Sequence, residues 1–251
     1  MSHIVPRTAL VTGASEGLGQ AAALELARHG YDLAVTDLDT ATLAATVQGI
    51  EALGRRAVAL RLDLRSEESL HDAFTAAVSR LGALGVLVNN AGCTLARPAV
   101  EVTWSEWDQV MDVNLKGTFF LSTRFGRHRL ATGEGGAVVN IASTHGLTGI
   151  ADRSVYGISK GGIVQMTRML AIEWARNGIR VNAVAPGTVL TPSRARMLAD
   201  PARRQRMLDR IPTGRFPTAE EVAAAIRYLA SPEAGSVTGH ILPVDGGLIA
   251  Y

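Results

Sequence analysis

The chain has 251 residues, 47% hydrophobic and 19% charged, which supports a sizeable core and excludes disordered and fibrous classes. A formal net charge of +2 gives no reason to expect a polyanionic partner, so nucleic acid is not expected. With one cysteine (Cys93), no leader-like start and no apolar run near the ~18–20 residues of a membrane span, a cytoplasmic protein clear of the membrane is expected.

Short apolar runs alternate with longer stretches of helical period along the whole chain. The first predicted strand, Thr8–Thr12, runs into a turn, Gly13-Ala14-Ser15-Glu16-Gly17-Leu18-Gly19, that opens an apolar helix carrying Leu24 and Leu26. Glycines there let backbone approach a pyrophosphate and aim the N–H groups of a helix N-terminus at its charge. The spacing is G-x-x-x-G-x-G, and Gly13, Ser15, Gly17, Leu18 and Gly19 are the candidate cofactor contacts. A plain strand-to-helix turn is the competing reading.

The second strand, Asp32–Asp37, ends on a carboxylate placed where such folds bond an adenosine ribose. Asp37 would accept from a 2′-hydroxyl but repel a 2′-phosphate, which favours NAD over NADP. Glu16 adds negative charge, and neither Leu38 nor Asp39 supplies a cation. Helix capping is the other use for Asp37.

A third strand follows at Ala57–Leu62, then Ser66 with Glu67–Glu68 marks a helix start. The fourth strand, Val86–Asn89, leads into Asn90-Ala91-Gly92, and Thr103 with Glu106 has capping-box spacing. Asn114 lies in an apolar helical stretch, where an amide is costly unless paired. The fifth strand, Ala137–Ala142, ends at Ser143.

A helix from Ser154 to Asn177 carries Tyr156 and, one turn on, Lys160, with an apolar stripe of Ile163, Val164, Leu170 and Trp174. The sixth strand, Arg180–Val184, precedes Pro186-Gly187; Thr218 with Glu221 opens another helix, and the seventh strand is His240–Val244. Repeated βαβ units dictate a doubly wound α/β fold with a parallel sheet, helices on both faces and a binding crevice at the strands' carboxyl ends. One domain over residues 1–251 is expected.

Hydride transfer to a ketone leaves an alkoxide unless a proton arrives with it, so the chemistry needs a reversible acid/base. A free phenol ionises near ~10, and a cation ~4 Å away is worth about 4 kcal/mol at an effective dielectric near 20. Of 25 basic residues only Lys116 and Lys160 are lysines, so a lysine four residues after Tyr156 is a selected ammonium rather than a chance pairing. Ser143, at a strand end, can hydrogen-bond the substrate oxygen; capping a turn is its other use.

The loop Gly13 to Gly19, Asn89-Asn90-Ala91-Gly92, Ser143 and Tyr156-Gly157-Ile158-Ser159-Lys160 together resemble the short-chain dehydrogenase/reductase family, and the similarity extends to Asn114, Pro186-Gly187 and Val244-Asp245-Gly246-Gly247. The resemblance implies a catalytic group of Asn114, Ser143, Tyr156 and Lys160, with Asn114 anchoring a water that leads to Lys160. It places Asp63 and Leu64 at the adenine, Asn90, Ala91 and Gly92 beside the ribose, and Pro186, Gly187, Val189 and Thr191 at the nicotinamide. Tyr156 and Lys160 then also touch cofactor. It implies a homotetramer too.

Substrate choice should rest on Thr94, Leu95, the 144–154 segment and a mobile lid over about 188–209. Ser143, Tyr156, His145 and Arg153 are the substrate candidates, although a loop histidine is more often solvent-facing. Arg194, Arg196, Arg203, Arg204, Arg206 and Arg210 make the lid basic, either as a solvated helix face or as an anion-attracting surface. The expected function is NAD-dependent oxidation of a secondary alcohol, or reduction of the ketone, on a sugar, polyol or other small hydroxy compound, with no metal. A 3-oxoacyl reductase using NADPH and an acyl carrier protein, and a dinucleotide-sensing protein without turnover, are the alternatives.

Overall fold

The computed structural model describes residues 6–191 and 198–250. Seven parallel strands form one sheet in the order β3-β2-β1-β4-β5-β6-β7. They are β1 (Thr8–Thr12), β2 (Asp32–Asp37), β3 (Ala57–Arg61), β4 (Val86–Asn89), β5 (Gly136–Ile141), β6 (Ile179–Pro186) and β7 (Ile241–Val244). Each lies within two residues of its expected bounds. The longest extension is β6, which runs on to Pro186 because Ala183 to Pro186 pair with β7.

Strand periodicity sends alternate side chains to opposite faces. Leu10, Leu87 and Val138 enter one apolar cluster, while Val11, Val88 and Val139 enter the other. The first cluster is closed by α3 (Glu67–Leu81), α5 (Thr118–Thr132) and α6 (Ser154–Trp174) through Phe74, Phe125 and Ile163. The second is closed by α1 (Gly17–Arg28), α2 (Ala44–Ala52) and α8 (Ala219–Ala230) through Leu26, Ile50 and Ile226. With both faces covered, each buried side chain of this size contributes roughly 1.5–3 kcal/mol. That is why the strands read as unbroken apolar runs.

The caps hold as expected. Thr103 and Thr218 complete capping boxes with Glu106 and Glu221 at the starts of α4 (Trp104–Met111) and α8, and Ser66 accepts from the Ser69 N–H at the start of α3. The expected helix to Asn177 is α6 plus a tighter 3₁₀ turn over Ala175–Asn177. Its stripe of Ile163, Val164, Leu170 and Trp174 is spent in this chain's own core.

Two features of the fold fix where α5 and α6 sit. Asn89 Nδ2 donates to Ser122 Oγ at 2.9 Å and to Asn140 Oδ1 at 2.8 Å, and Asn140 Nδ2 donates to Thr167 Oγ1 at 2.9 Å. This buried polar chain ties the ends of β4 and β5 to both helices, and a slip of register would break its three bonds at once. The second is a π-helical turn, Asp112–Gly117, between α4 and α5, which carries Asn114.

The short α7 (Pro201–Leu208) packs through Met207 and Leu208 against Leu198, Ile211 and Phe216, with Arg203, Arg204 and Arg206 exposed as a solvated face. Arg194 and Arg196, with the middle of the expected lid, lie outside the described residues. Among the described residues no helix is long and apolar enough to cross a membrane.

Candidate active site

A crevice of about 510 Å³ crosses the carboxyl ends of the strands where the winding reverses between β1 and β4. Asp37 ends β2 and Ser143 follows β5, three strand positions apart, or roughly 14 Å at the usual spacing. The site is built for a long, two-ended ligand.

At the glycine turn, Gly13 has φ +64° and Gly17 has φ +60°, conformations that side chains rarely tolerate. Asn90 braces the turn: its Nδ2 donates to the carbonyls of Thr12 and Gly13, both at 2.9 Å. Thr12 Oγ1 in return accepts from the backbone N–H groups of Asn90 and Ala91, each at 3.0 Å. A Cβ on Gly19 would overlap the Gly13 carbonyl oxygen, so this glycine lets α1 approach the turn and does not itself line the crevice.

The N-cap residue of α1, Glu16, makes no side-chain cap bond, in contrast to the capped α3, α4 and α8. The first-turn N–H groups of α1, at Gly17 and Leu18 on the crevice wall, therefore suit an anionic group such as a pyrophosphate. Ser15, also expected as a contact, is not on the crevice wall; its N–H donates to Asp37 Oδ2 at 3.3 Å and links the turn to the end of β2.

Asp37 lines the crevice, with Oδ1 accepting from the Leu38 N–H at 2.8 Å. The capping role falls instead to Asp39, whose carboxylate accepts from the Ala41 N–H. Asp63 is held by Arg65, which donates through Nε at 3.0 Å and Nη2 at 2.8 Å. That guanidinium bond, more than any other influence, holds the Asp63 carboxyl below the usual carboxylate range. Leu64, Asn90, Ala91 and Gly92 continue the wall, and Pro186 at the end of β6 with Gly187, Val189 and Thr191 beyond it closes it.

Asn114 is buried behind Gly92 rather than in the crevice. Its Oδ1 accepts from the Cys93 N–H at 2.8 Å, and its Nδ2 donates to the Cys93 carbonyl at 2.9 Å and to Ser159 Oγ at 3.0 Å. The amide thus staples the segment after β4 to α6. Burial pushes the neighbouring Cys93 thiol up.

Ser143, Tyr156 and Lys160 meet at the opposite end, exposed by only 8%, 9% and 5%. Ser143 Oγ accepts from the His145 N–H at 3.1 Å, so it does cap a turn, yet its own O–H remains a donor toward the crevice. Lys160 Nζ donates to the Ile141 carbonyl at 2.7 Å and lies 5.9 Å from the centroid of the Tyr156 ring. A phenol, a hydroxyl and a fixed ammonium on one pocket wall can exchange a proton with a bound oxygen and stabilise its charge.

His145 and Arg153 stand beside the catalytic end rather than on the main crevice wall. Neither lines the main crevice; both face a shallower adjoining depression. His145 is half-buried and stands edge-on to Tyr156, with ring centroids 5.8 Å apart. Arg153 donates through Nη1 to the Leu95 carbonyl at 3.3 Å, bridging the segments that follow β4 and β5. The residue that sequence reading overlooked is Arg65, although a cation two residues past Asp63 at a strand end was the available signal.

A family model described as Enoyl-(Acyl carrier protein) reductase matches residues 13–249. The 2-dehydro-3-deoxy-D-gluconate 5-dehydrogenase of Escherichia coli (strain K12) is 38% identical over 244 residues, covering 97% of this chain and 96% of that protein. A solved structure assigned as a short-chain alcohol dehydrogenase from Sinorhizobium meliloti 1021 is similar with a TM-score of 0.95 at 43% identity, covering 99% of this chain and 98% of the other. Another, assigned as a 2-deoxy-d-gluconate 3-dehydrogenase from Agrobacterium tumefaciens with bound NADP, gives 0.92 at 40% identity over 99% and 98%. With the glycine turn, the strand-end serine and the tyrosine–lysine pair in one crevice and relatives matched along nearly their full length, the chain belongs to the short-chain dehydrogenase/reductase family, oxidoreductases that act on CH–OH groups with NAD(P).

Proposed function

We propose that this enzyme interconverts a secondary alcohol and its ketone on a sugar, sugar acid or polyol, using NAD(H), within a single cofactor-binding and catalytic domain. The observation that carries the reading is the convergence of Ser143, Tyr156 and Lys160 on one end of a crevice whose other end offers the uncapped α1 and Asp37. The nicotinamide, when bound, supplies or accepts the hydride. Tyr156 gives the substrate oxygen its proton or removes it, and the Ser143 O–H donates to that same oxygen. Lys160, anchored on the Ile141 carbonyl, keeps positive charge beside the phenol and within reach of a cofactor ribose. Asn114 serves as a positioning residue, its amide spent on Cys93 and Ser159.

The names of the Escherichia coli and Agrobacterium tumefaciens relatives, both sugar-acid dehydrogenases, support this substrate class over an acyl carrier. The test is a screen of sugars, sugar acids, polyols and 3-oxoacyl thioesters with each nicotinamide cofactor, read by nicotinamide absorbance. Turnover confined to 3-oxoacyl thioesters would overturn the proposal. We further propose a homotetramer, supported by Ile158, Met169 and Ile172 on α6 and Phe119 and Phe120 on α5, which leave an apolar face uncovered in the single chain.

NAD is preferred because Asp37 accepts from a ribose 2′-hydroxyl and repels a phosphate there. Asp37→Asn removes the charge and keeps an acceptor for the Leu38 N–H, giving up only the longer bond from the Ser15 N–H. It is expected to raise the NADP:NAD ratio of kcat/KM by about tenfold, or 1.4 kcal/mol, as measured by initial rates. An unchanged ratio would remove Asp37 from cofactor choice.

A further inference from the structure

The adenosine end of the crevice has a charge problem. Among the described lining residues it presents three carboxylates, Glu16, Asp37 and Asp63, to a ligand that is itself anionic, and Lys160 lies at the far end. Like charges within about a Debye length, ~8–10 Å, repel appreciably. Arg65 is the one cationic side chain lining this end among the described residues.

Arg65 is held there by local geometry. Its backbone N–H donates to Asp63 Oδ1 at 3.0 Å, and Nε and Nη2 take the two carboxylate oxygens at 3.0 and 2.8 Å. The two guanidinium bonds fix its plane against the carboxylate, and the backbone bond holds the two residues together, although the Arg65 side chain is about half exposed. Two of its five side-chain N–H donors are used, so others remain for a ligand.

From this we propose that Arg65 is a cofactor-positioning and specificity-determining residue: it offsets the carboxylates around the adenosine half of the dinucleotide and donates to that half. The proposal rests on the dinucleotide reading above. Asp63 acts as its bracket, so the two side chains work as a unit, and a 2′-phosphate gains more from the guanidinium than a 2′-hydroxyl does.

The test is calorimetric binding of NAD, NADP and ADP-ribose to the full chain. Arg65→Gln is expected to weaken NAD and ADP-ribose about tenfold and NADP by more, with the cost in steady state falling on cofactor KM rather than kcat. Arg65→Lys should recover part of the loss. The double variant with Asp63→Asn should bind better than Arg65→Gln alone, because the orphaned carboxylate is gone. Unchanged or tighter binding by Arg65→Gln, with its thermal unfolding like the parent's, would overturn the proposal and leave the dinucleotide reading standing. Failure of the parent chain to bind any of the three would overturn both.

Discussion

Tyr156→Phe is expected to cut turnover by about 10²–10⁴-fold, the range for loss of a positioned acid/base, while calorimetry finds NAD still bound. The hydroxyl is the whole of the change. The ring keeps its place because α6 is anchored by the Asn140–Thr167 and Asn114–Ser159 bonds, neither of which uses the phenol oxygen. The edge-on contact with His145 also survives, since it involves the ring alone. A variant that binds NAD and still turns over at the parent rate would show that another group moves the proton.

Lys160→Met is expected to cost roughly a hundredfold in turnover. A unit charge 5.9 Å from the ring centroid is worth about 3 kcal/mol at an effective dielectric near 20, and each 1.36 kcal/mol is about tenfold in rate. The variant also leaves the Ile141 carbonyl without its ammonium donor, a penalty of ~1–3 kcal/mol that thermal unfolding would report. Cofactor KM should rise as well, because the ammonium is placed to reach the ribose. Lys160→Arg separates charge from shape. A planar fork does not reproduce the compact ammonium that donates to the Ile141 carbonyl, so it should restore little. Full activity in either variant would remove the ammonium from the mechanism.

The strands and the ends of the crevice were legible because their signals are local. A strand covered on both faces must be apolar throughout, as Val86–Val88 is, and a helix start such as Thr103 to Glu106 declares itself within four residues. Side-chain commitments across the fold were not legible in the same way. Nothing adjacent to Asn114 announces that its amide will meet Cys93 and Ser159, or that the surrounding turn will widen to a π-helical one. The Asn89–Asn140–Thr167 chain joins residues that only the β4–β5 register brings together. The neighbour of His145 was hidden for the same reason, since Tyr156 lies eleven positions away on another element. Ser143 showed that two readings can hold together, a turn cap and a crevice donor in one hydroxyl.

The scarcity of lysine acquires a practical meaning once the two are located. Lys116 lies at the surface, 63% exposed and paired one helical turn away with Asp112, whereas Lys160 is sequestered. Isotope-enriched methyl tags attached to amines would therefore mark Lys116 and leave Lys160 untouched, so the labelled side-chain amine reports on the surface and the unlabelled one on the closed crevice wall.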